Sequence, residues 1–224
     1  MDQHYAGARV RPELPAQRIV TLVVRDLSVA GDEDLDAAPV DGAHFQMEVG
    51  TLVLIGPAAT GRSVVLCLSG RLVRRRGVVE TGAGPHRRPL GDTPWRLVVS
   101  LPPEPSATSV EAIVADAGPA GRGAARRLGL GATFDRRVDT LDPPHRILLG
   151  VARALGEGPD IVALDNPGAH LEPAELSAVV EALRDLVDIE GRTVLLVSDL
   201  DVIPSNLRRL LDHVVDCETG FAES

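Results

Sequence analysis

Residues 56–63 are the segment of this sequence whose spacing most directly suggests chemistry. They read GPAATGRS, which matches the phosphate-loop pattern G-x-x-x-x-G-K-[S/T] except that Arg62 replaces the lysine. An apolar run, residues 51–55, precedes the segment, and residues 63–68 begin a helical pattern. A strand that leads through a glycine-rich turn into a helix N-terminus forms an anion site, because backbone N–H groups and the helix dipole converge there. The predicted phosphate-binding residues are Gly56, Pro57, Ala58, Ala59, Thr60, Gly61, Arg62, Ser63 and Val64.

An acidic residue about a hundred positions downstream strengthens this interpretation. Asp165 follows a continuous apolar run, residues 161–164, which is typical of a buried strand. An Asp at such a strand end can hold the Mg²⁺ that is bound to the Ser or Thr of a phosphate loop. Ser63 and Asp165 are therefore the candidate magnesium pair, and the alternative is that Asp165 only caps its strand.

Composition limits the function classes. The chain has 224 residues, 44% of them apolar, and a formal net charge of −9, which opposes nonspecific binding of nucleic acid. It contains no lysine, no run of about 18 apolar residues and no pattern of a secretory signal. Cys67 and Cys217 lie in predicted apolar elements, so we expect two reduced core thiols in a cytosolic protein.

The elements that must position these residues alternate between strands and helices, which predicts an α/β fold with a largely parallel core sheet. Predicted strands cover residues 19–29, 44–48, 51–55, 96–101, 160–164, 193–197 and 214–218. Predicted helices cover residues 63–73, 110–117, 124–128, 145–155, 172–186 and 202–211. We also expect a loose tail (1–18), a solvated acidic turn (31–36), a solvated helix end (74–76) and an inserted, partly helical subdomain (about 102–149).

Taken together, these segments resemble the ATP-binding cassette family, the motor subunits of ABC transporters. Residues 141–155 (LDPPHRILLGVARAL) line up with the family's signature and the helix that follows it. Residues 161–172 (IVALDNPGAHLE) resemble the Walker B strand and D-loop, and residues 193–199 (TVLLVSD) resemble the strand that leads to the switch histidine. Residues 97–105 (LVVSLPPEP) resemble the segment that carries the Q-loop glutamine. The resemblance extends over residues 19–220.

The resemblance implies a RecA-like P-loop NTPase fold: a core of about 19–101 and 150–224, antiparallel strands and the helical subdomain, all in one domain (19–224). It implies ATP and Mg²⁺ as cofactors. It also implies a transmembrane permease partner, a homodimer or a heterodimer with another cassette subunit, and a peripheral place on the cytoplasmic face of the membrane. Family sites are composite, because the phosphate loop of one subunit faces the signature of the other.

Several positions depart from the family pattern. Arg62 stands where the family has the lysine that contacts the β and γ phosphates. Asn166 stands where the family has the glutamate that polarises the attacking water, and its amide cannot take a proton at neutral pH. Asp199 stands where the family has the switch histidine, so its negative charge would face the negative γ phosphate. The position of the Q-loop glutamine falls at about Pro103. The expected adenine-stacking aromatic is missing at positions 30 and 31, and Tyr5 lies too far upstream to replace it.

The signature departs most clearly. Here the family presents the N–H groups of a Ser and two Gly to the partner's γ phosphate, whereas this chain has Asp142, Pro143, Pro144 and His145. Two prolines remove two donors, while Asp followed by Pro is a favourable helix start. We therefore expect a helix capped by its own carboxylate, with His145 in an exposed capping turn or, alternatively, against a ligand.

Three functions remain open. The first is a transporter-like subunit that binds Mg-ATP weakly and hydrolyses little or none of it. The second is a pseudo-ATPase that serves as a structural or regulatory module without nucleotide. The third is an active transport ATPase with altered motifs. Neither a homodimer nor a heterodimer with an intact partner would give an intact composite site, so we expect no normal turnover.

Overall fold

The structure is a computed structural model that describes residues 21–82, 88–89, 97–100, 102–169, 171–219 and 221–223. The predicted tail 1–18 and Tyr5 lie outside the described residues, as do the ends of two predicted strands, at 19–20 and at 96 and 101. Within the described residues, no helix has both the length and the apolar character needed to cross a membrane.

Strands and helices alternate along most of the chain. The strands are β1 (Thr21–Val29), β2 (Val40–Glu48), β3 (Leu52–Gly56), β4 (Arg74–Gly82), β5 (Arg88–Pro89), β6 (Leu97–Ser100), β7 (Ile161–Asp165), β8 (Thr193–Val197), β9 (His213–Asp216) and β10 (Phe221–Glu223). The helices are α1 (Ala58–Leu68), α2 (Val110–Asp116), α3 (Gly118–Arg127), α4 (Pro143–Gly156), α5 (Pro173–Glu190) and α6 (Ser205–Arg208).

The main sheet has the order β10-β9-β3-β8-β7-β6. Five neighbouring strands, β9, β3, β8, β7 and β6, run parallel, and β10 pairs antiparallel with β9 at one edge. In register, Ile55 pairs with Val197 and Val197 pairs with Asp165. The carboxyl ends of β3, β8 and β7 therefore meet at one edge, where ligands bind in open α/β sheets. The predicted α/β fold with a largely parallel core is confirmed.

A second, antiparallel sheet has the order β2-β1-β4-β5. It packs with α1 against one face of the main sheet, through a core that includes Phe45, Val53 and Ile55. The other face of the main sheet is covered by α2, α3, α4 and α5, in a core that includes Leu52 and Leu54. Successive residues of β3 thus point into two different cores, which explains why this strand is apolar at every position.

Two predictions near the loop are wrong. Helix α1 begins at Ala58 and ends at Leu68, whereas the sequence predicted a helix over residues 63–73. Its end is followed by Gly70 at φ +75°, a left-handed conformation that glycine adopts without steric cost. Residues 74–76 are not a helix end but the start of β4, which pairs with β1. Their three arginines are exposed, so the charges concealed a strand signal.

Other helix and strand boundaries also differ from the predicted ones. Helix α6 covers only four residues of the predicted 202–211, and the closing strand β9 is followed by β10, which the sequence did not predict. The segment between β6 and β7 contains α2, α3 and α4, together with 3-10 turns at Leu130–Thr133 and Val138–Thr140. The proposed subdomain boundary at 102–149 stays a prediction.

Candidate functional site

The predicted phosphate loop is shorter than its pattern suggests. Since α1 begins at Ala58, residues 58–61 form the first turn of the helix, and the Gly61 N–H donates to the Pro57 carbonyl at 2.8 Å. An added Cβ at Gly61 would lie 2.8 Å from the Ile55 carbonyl oxygen, so glycine is needed for the close packing of α1 on β3. The second glycine of the pattern therefore serves helix packing in this structure.

A carboxylate occupies the N-terminus of α1. The Ala58 N–H donates to Asp199 Oδ1 at 2.8 Å, and Asp199 follows β8 at the same sheet edge. The segment after β8 lies directly against the loop, because a Cβ at Gly56 would be 2.6 Å from the Ser198 carbonyl oxygen. The structure thus brings Asp199, at the predicted switch position, to the predicted phosphate loop, with an anion at the positive end of the helix dipole.

Arg62 forms two ion pairs. Its Nε lies 2.7 Å from Asp165 Oδ2, and its Nη1 lies 2.5 Å from Asp36 Oδ2 and 3.0 Å from the Asp36 carbonyl oxygen. The Arg62 and Asp165 side chains are only 18% and 23% exposed, whereas Asp36 is 87% exposed. Burial lowers the pKa of Arg62, but the contacts with Asp165 and Asp36 outweigh it and raise the pKa overall. The guanidinium is therefore a fixed cation beside the predicted magnesium ligand.

Ser63, the other predicted magnesium ligand, is fully buried. Its hydroxyl forms a short hydrogen bond with the Ala38 carbonyl and lies 3.2 Å from the Ala59 carbonyl oxygen. A hydroxyl has one proton to donate, so these carbonyls compete for it while its lone pairs stay free to accept. Ser63 and Asp165 are thus on adjacent elements, but each is engaged with a different group.

Asn166 lies at the turn that follows β7, with φ +45°. Its N–H donates to the Val197 carbonyl at 2.8 Å, which ties the turn to the end of β8. Asn is one of the few non-glycine residues that adopts this left-handed conformation readily. The residue at the predicted water-activating position is therefore also suited to the backbone of its turn.

Helix α4 begins as predicted from the degenerate signature. Pro143 is its first residue, and Asp142 caps it by accepting from the His145 N–H at 3.0 Å. His145 Nδ1 lies 2.5 Å from the same carboxylate oxygen, and the ring is partly exposed. Burial raises the pKa of Asp142, but its bonds to His145 outweigh that effect and lower the pKa overall. The predicted self-capped helix start is confirmed.

A cleft of about 780 Å³ connects several predicted positions. Arg62, Asp165 and Asn166 line it from the sheet edge, while Pro103 lines it from the Q-loop position and Pro143 from the start of α4. Its volume is in the range of small-molecule sites. The cleft unites residues that the sequence placed in four separate motifs, but Ser63 and Asp199 do not line it.

The acidic turn contributes a residue that the sequence analysis assigned to solvent only. Asp36, at φ +49°, is exposed but contacts Arg62 through its carboxylate and its carbonyl. Ala38 contacts Ser63 from the same segment. The available signal was the arginine itself, because a guanidinium has five donors to satisfy where a lysine has three. No group of three or more potential metal ligands occurs among the residues that the structure describes.

These contacts allow a test of whether the residues fit Mg²⁺ and a phosphate chain. Mg²⁺ requires oxygen ligands at about 2.0–2.1 Å, whereas Asp165 Oδ2 is paired with a guanidinium and only the buried Oδ1 is without a hydrogen-bond partner among the described residues. A phosphate chain requires free N–H groups at the helix N-terminus, where the Ala58 N–H is taken by Asp199. In the conformation described, the residues do not fit the pair of ligands.

Sequence comparisons point to one class of proteins. The chain is 27% identical, over 212 residues, to an uncharacterized ABC transporter ATP-binding protein of Mycobacterium tuberculosis, in a match covering 83% of this chain and 61% of that protein. It is 34% identical over 94 residues to the phosphonates import ATP-binding protein PhnC of Ruegeria pomeroyi, covering 42% of this chain and 33% of that protein. The chain thus spans less than two thirds of the length of these relatives. No protein-family model matches it.

Comparisons with solved structures agree on the fold. An ATP-binding cassette of an ABC transporter in its ADP conformation, MJ1267, superposes with a TM-score of 0.70 at 17% identity, covering 92% of this chain and 90% of that one. The cbiO1 protein of Clostridium perfringens, part of the ABC transporter complex cbiONQ, superposes with a TM-score of 0.70 at 19% identity, covering 91% and 86%. The shared fold and the ABC transporter ATP-binding relatives together support the resemblance of this chain to the ATP-binding cassette family of nucleotide-binding domains.

Proposed function

We propose that this chain is the cassette subunit of an ABC transporter-like complex at the cytoplasmic face of a membrane, and that it hydrolyses little or no ATP. The observation that carries the proposal is the end of β7, where Asp165 is paired with Arg62 and is followed by Asn166. An amide cannot accept the proton of an attacking water. The loss of one such contact costs about 10²–10⁴ in rate.

The family relation supports a permease partner, because the relatives named above are transporter ATP-binding proteins or parts of transporter complexes. In a homodimer, each composite site would contain Arg62 and Asn166 together with the Pro143–Pro144 signature. With an intact cassette partner, one site would keep the altered loop and the other would face the altered signature. Neither assembly has a site with all of the family's groups, so turnover stays low in both.

The two candidate functions without normal turnover differ in whether the chain binds nucleotide. Weak binding of Mg-ATP needs Ser63 and Asp165 to be released from their present contacts, whereas a module without nucleotide needs no change. The contacts of Arg62 favour the module without nucleotide, because its guanidinium is held between Asp165 and Asp36. Ser63 and Asp165 remain the proposed magnesium ligands if nucleotide enters.

The direct test is the ATPase rate of the purified chain, alone and in complex with a co-expressed multi-span permease. We expect a rate no higher than that of the Asp165→Ala variant, and we expect the permease to co-purify with both. A rate typical of transport ATPases that disappears in Asp165→Ala would contradict the proposal and support the active-ATPase alternative.

A further inference from the structure

We infer that the phosphate cradle of this chain is filled from within: the Asp199 carboxylate takes the place of the anion at the N-terminus of α1, and Arg62 takes the place of the divalent cation against Asp165. The inference rests on the proposed function and deepens it. Asp199 and Arg62 thereby form one arrangement of charges in which both groups belong to the chain itself.

Asp199 occupies an N–H donor at the helix N-terminus that a bound phosphate would use. Its Oδ1 accepts from the Ala58 N–H at 2.8 Å, so it already compensates the positive end of the helix dipole. The close approach of Gly56 to Ser198 holds this segment on the loop. A phosphate chain would bring negative charge next to a fixed negative charge and would compete for the same donor.

Arg62 supplies positive charge where a magnesium ion would be needed. Its Nε lies 2.7 Å from Asp165 Oδ2, in a pair that is largely shielded from water. A guanidinium is a planar cation with several donors that can stay paired with a carboxylate, whereas a lysine ammonium is a compact point charge. The buried Ser63 hydroxyl donates to the Ala38 carbonyl and Asp165 Oδ2 is paired with Arg62, so a metal ion would have to compete with both contacts.

The two substitutions are complementary in charge. Relative to the family pattern, position 199 has gained an anion and position 62 has kept a cation with more donors, so the helix N-terminus and Asp165 each have a counter-charge from the chain itself. Both groups are attached to the chain, and so they pay no translational entropy for occupying the site. A free ligand must displace both contacts, which lowers its apparent affinity.

The test measures binding of inorganic pyrophosphate, and separately of Mg-ATP, to the full chain by calorimetry and thermal shift. The variants are Asp199→Ala, Asp199→Asn, which keeps the shape and removes the charge, and the double variant Asp199→Ala/Arg62→Lys. Asp201→Ala and Arg209→Lys are matched controls, because both residues are exposed and Asp201 lies two positions from Asp199. We expect no binding of either probe at millimolar concentration to the wild type and the controls. We expect affinity to rise at least about tenfold in Asp199→Ala and further in the double variant.

A second readout needs no ligand. The backbone amide resonance of Ala58 should shift in Asp199→Ala and stay in place in Asp201→Ala, because only the former removes its acceptor. The inference is overturned if this resonance does not move, if the wild type binds pyrophosphate as tightly as the double variant, or if no Asp199 variant binds better than the wild type. Pyrophosphate binding involves no hydrolysis, so this failure is distinguishable from a failure of the proposed function, which the ATPase rate tests.

Discussion

Arg62 and Asp165 form an ion pair in which both side chains are shielded from most of the solvent. Removing either partner leaves a partly buried charge without its counter-ion, and so both Arg62→Ala and Asp165→Ala should lower the free energy of unfolding. We expect a double-mutant cycle of these variants, measured by urea unfolding, to give a coupling free energy of about 1–2 kcal/mol.

The ion pair between Arg62 and Asp36 is the control for the Arg62–Asp165 pair, because both involve the same guanidinium. Asp36 is 87% exposed, so solvent screens its interaction, and the corresponding coupling free energy should stay below about 1 kcal/mol. Equal couplings for the two pairs would mean that burial of Asp165 contributes nothing. A coupling near zero for Arg62–Asp165 would remove the physical basis for treating Arg62 as the cation of the site.

Asn166 combines a chemical and a conformational role. Glutamate at this position would return a proton acceptor, but it would have to adopt φ +45°. The left-handed conformation costs most residues about 1 kcal/mol or more, and Asn less. We expect Asn166→Glu to lower the free energy of unfolding by about 1 kcal/mol and to leave ATP hydrolysis at background, since Arg62 still holds Asp165.

Asn166→Gly separates the two roles, because glycine accepts the left-handed backbone without a side chain. Its free energy of unfolding should stay closer to that of the wild type than that of Asn166→Glu. If Asn166→Glu instead acquires steady ATPase activity, then one missing carboxylate explains the low turnover, and the contacts of Arg62 do not matter.

At the scale of elements, continuous apolar runs were the most reliable signal. β8 was predicted at its observed bounds and β7 to within one residue, because each is buried on both faces and has no other pattern to confuse it. β4 begins with three exposed arginines, so its sequence lacks the apolar pattern of a strand. Its pairing with β1 holds it in the sheet. The start of α1 was misjudged because the loop pattern assumes an open turn, whereas tertiary contacts of Asp199 allow the helix to begin at Ala58.

Helix α4 provides a prediction about its own start. Asp142 accepts from the His145 N–H, and loss of such a cap costs about 1 kcal/mol. The folded-state pKa of Asp142 is lowered, so its stabilising effect is complete above the unfolded value of about 3.9 and is lost as pH falls through the lower folded value. We expect the destabilisation by Asp142→Ala to be about 1 kcal/mol at pH 7 and to shrink below about pH 4, as measured by urea unfolding across pH.

Asp142→Asn is the control, since asparagine caps helices about as well but does not titrate. Its free energy of unfolding should match the wild type at neutral pH, and its advantage over Asp142→Ala should stay about the same as pH falls, because asparagine does not titrate. A penalty for Asp142→Ala that is the same at pH 3 and pH 7 would show that the charged carboxylate does not cap α4.

For the whole molecule, the site depends on three strand ends and a turn that are far apart in sequence. Glycines and acidic strand ends identified the edge at which Gly56, Asp165 and Asp199 meet, because parallel strands place their carboxyl ends together. The sequence could not reveal which charges pair, since Arg62 has several carboxylates in reach and the choice depends on side-chain geometry. Asp36 was missed for this reason.

Cys217 offers a probe of the whole fold. It follows β9, is 4% exposed and lies in the core that joins the main sheet, α1 and the antiparallel sheet, and its N–H donates to the Gly56 carbonyl at 2.7 Å. Burial, together with the negative charges of Asp216 and Glu218, raises its pKa to about 12. Because the thiolate is the reactive form, iodoacetamide should label Cys217 only when the core opens.

Labelling of Cys217 therefore reports opening of this core, and a ligand whose binding needs the closed core must slow the labelling by mass action. We expect mass spectrometry to show that millimolar Mg-ATP leaves the labelling rate of the wild type unchanged and slows that of Asp199→Ala/Arg62→Lys. Cys67, which is partly exposed on α1, serves as the internal control because it should react faster than Cys217 in every sample. Slower labelling of Cys217 in the wild type with Mg-ATP would mean that nucleotide enters the site despite Asp199 and Arg62.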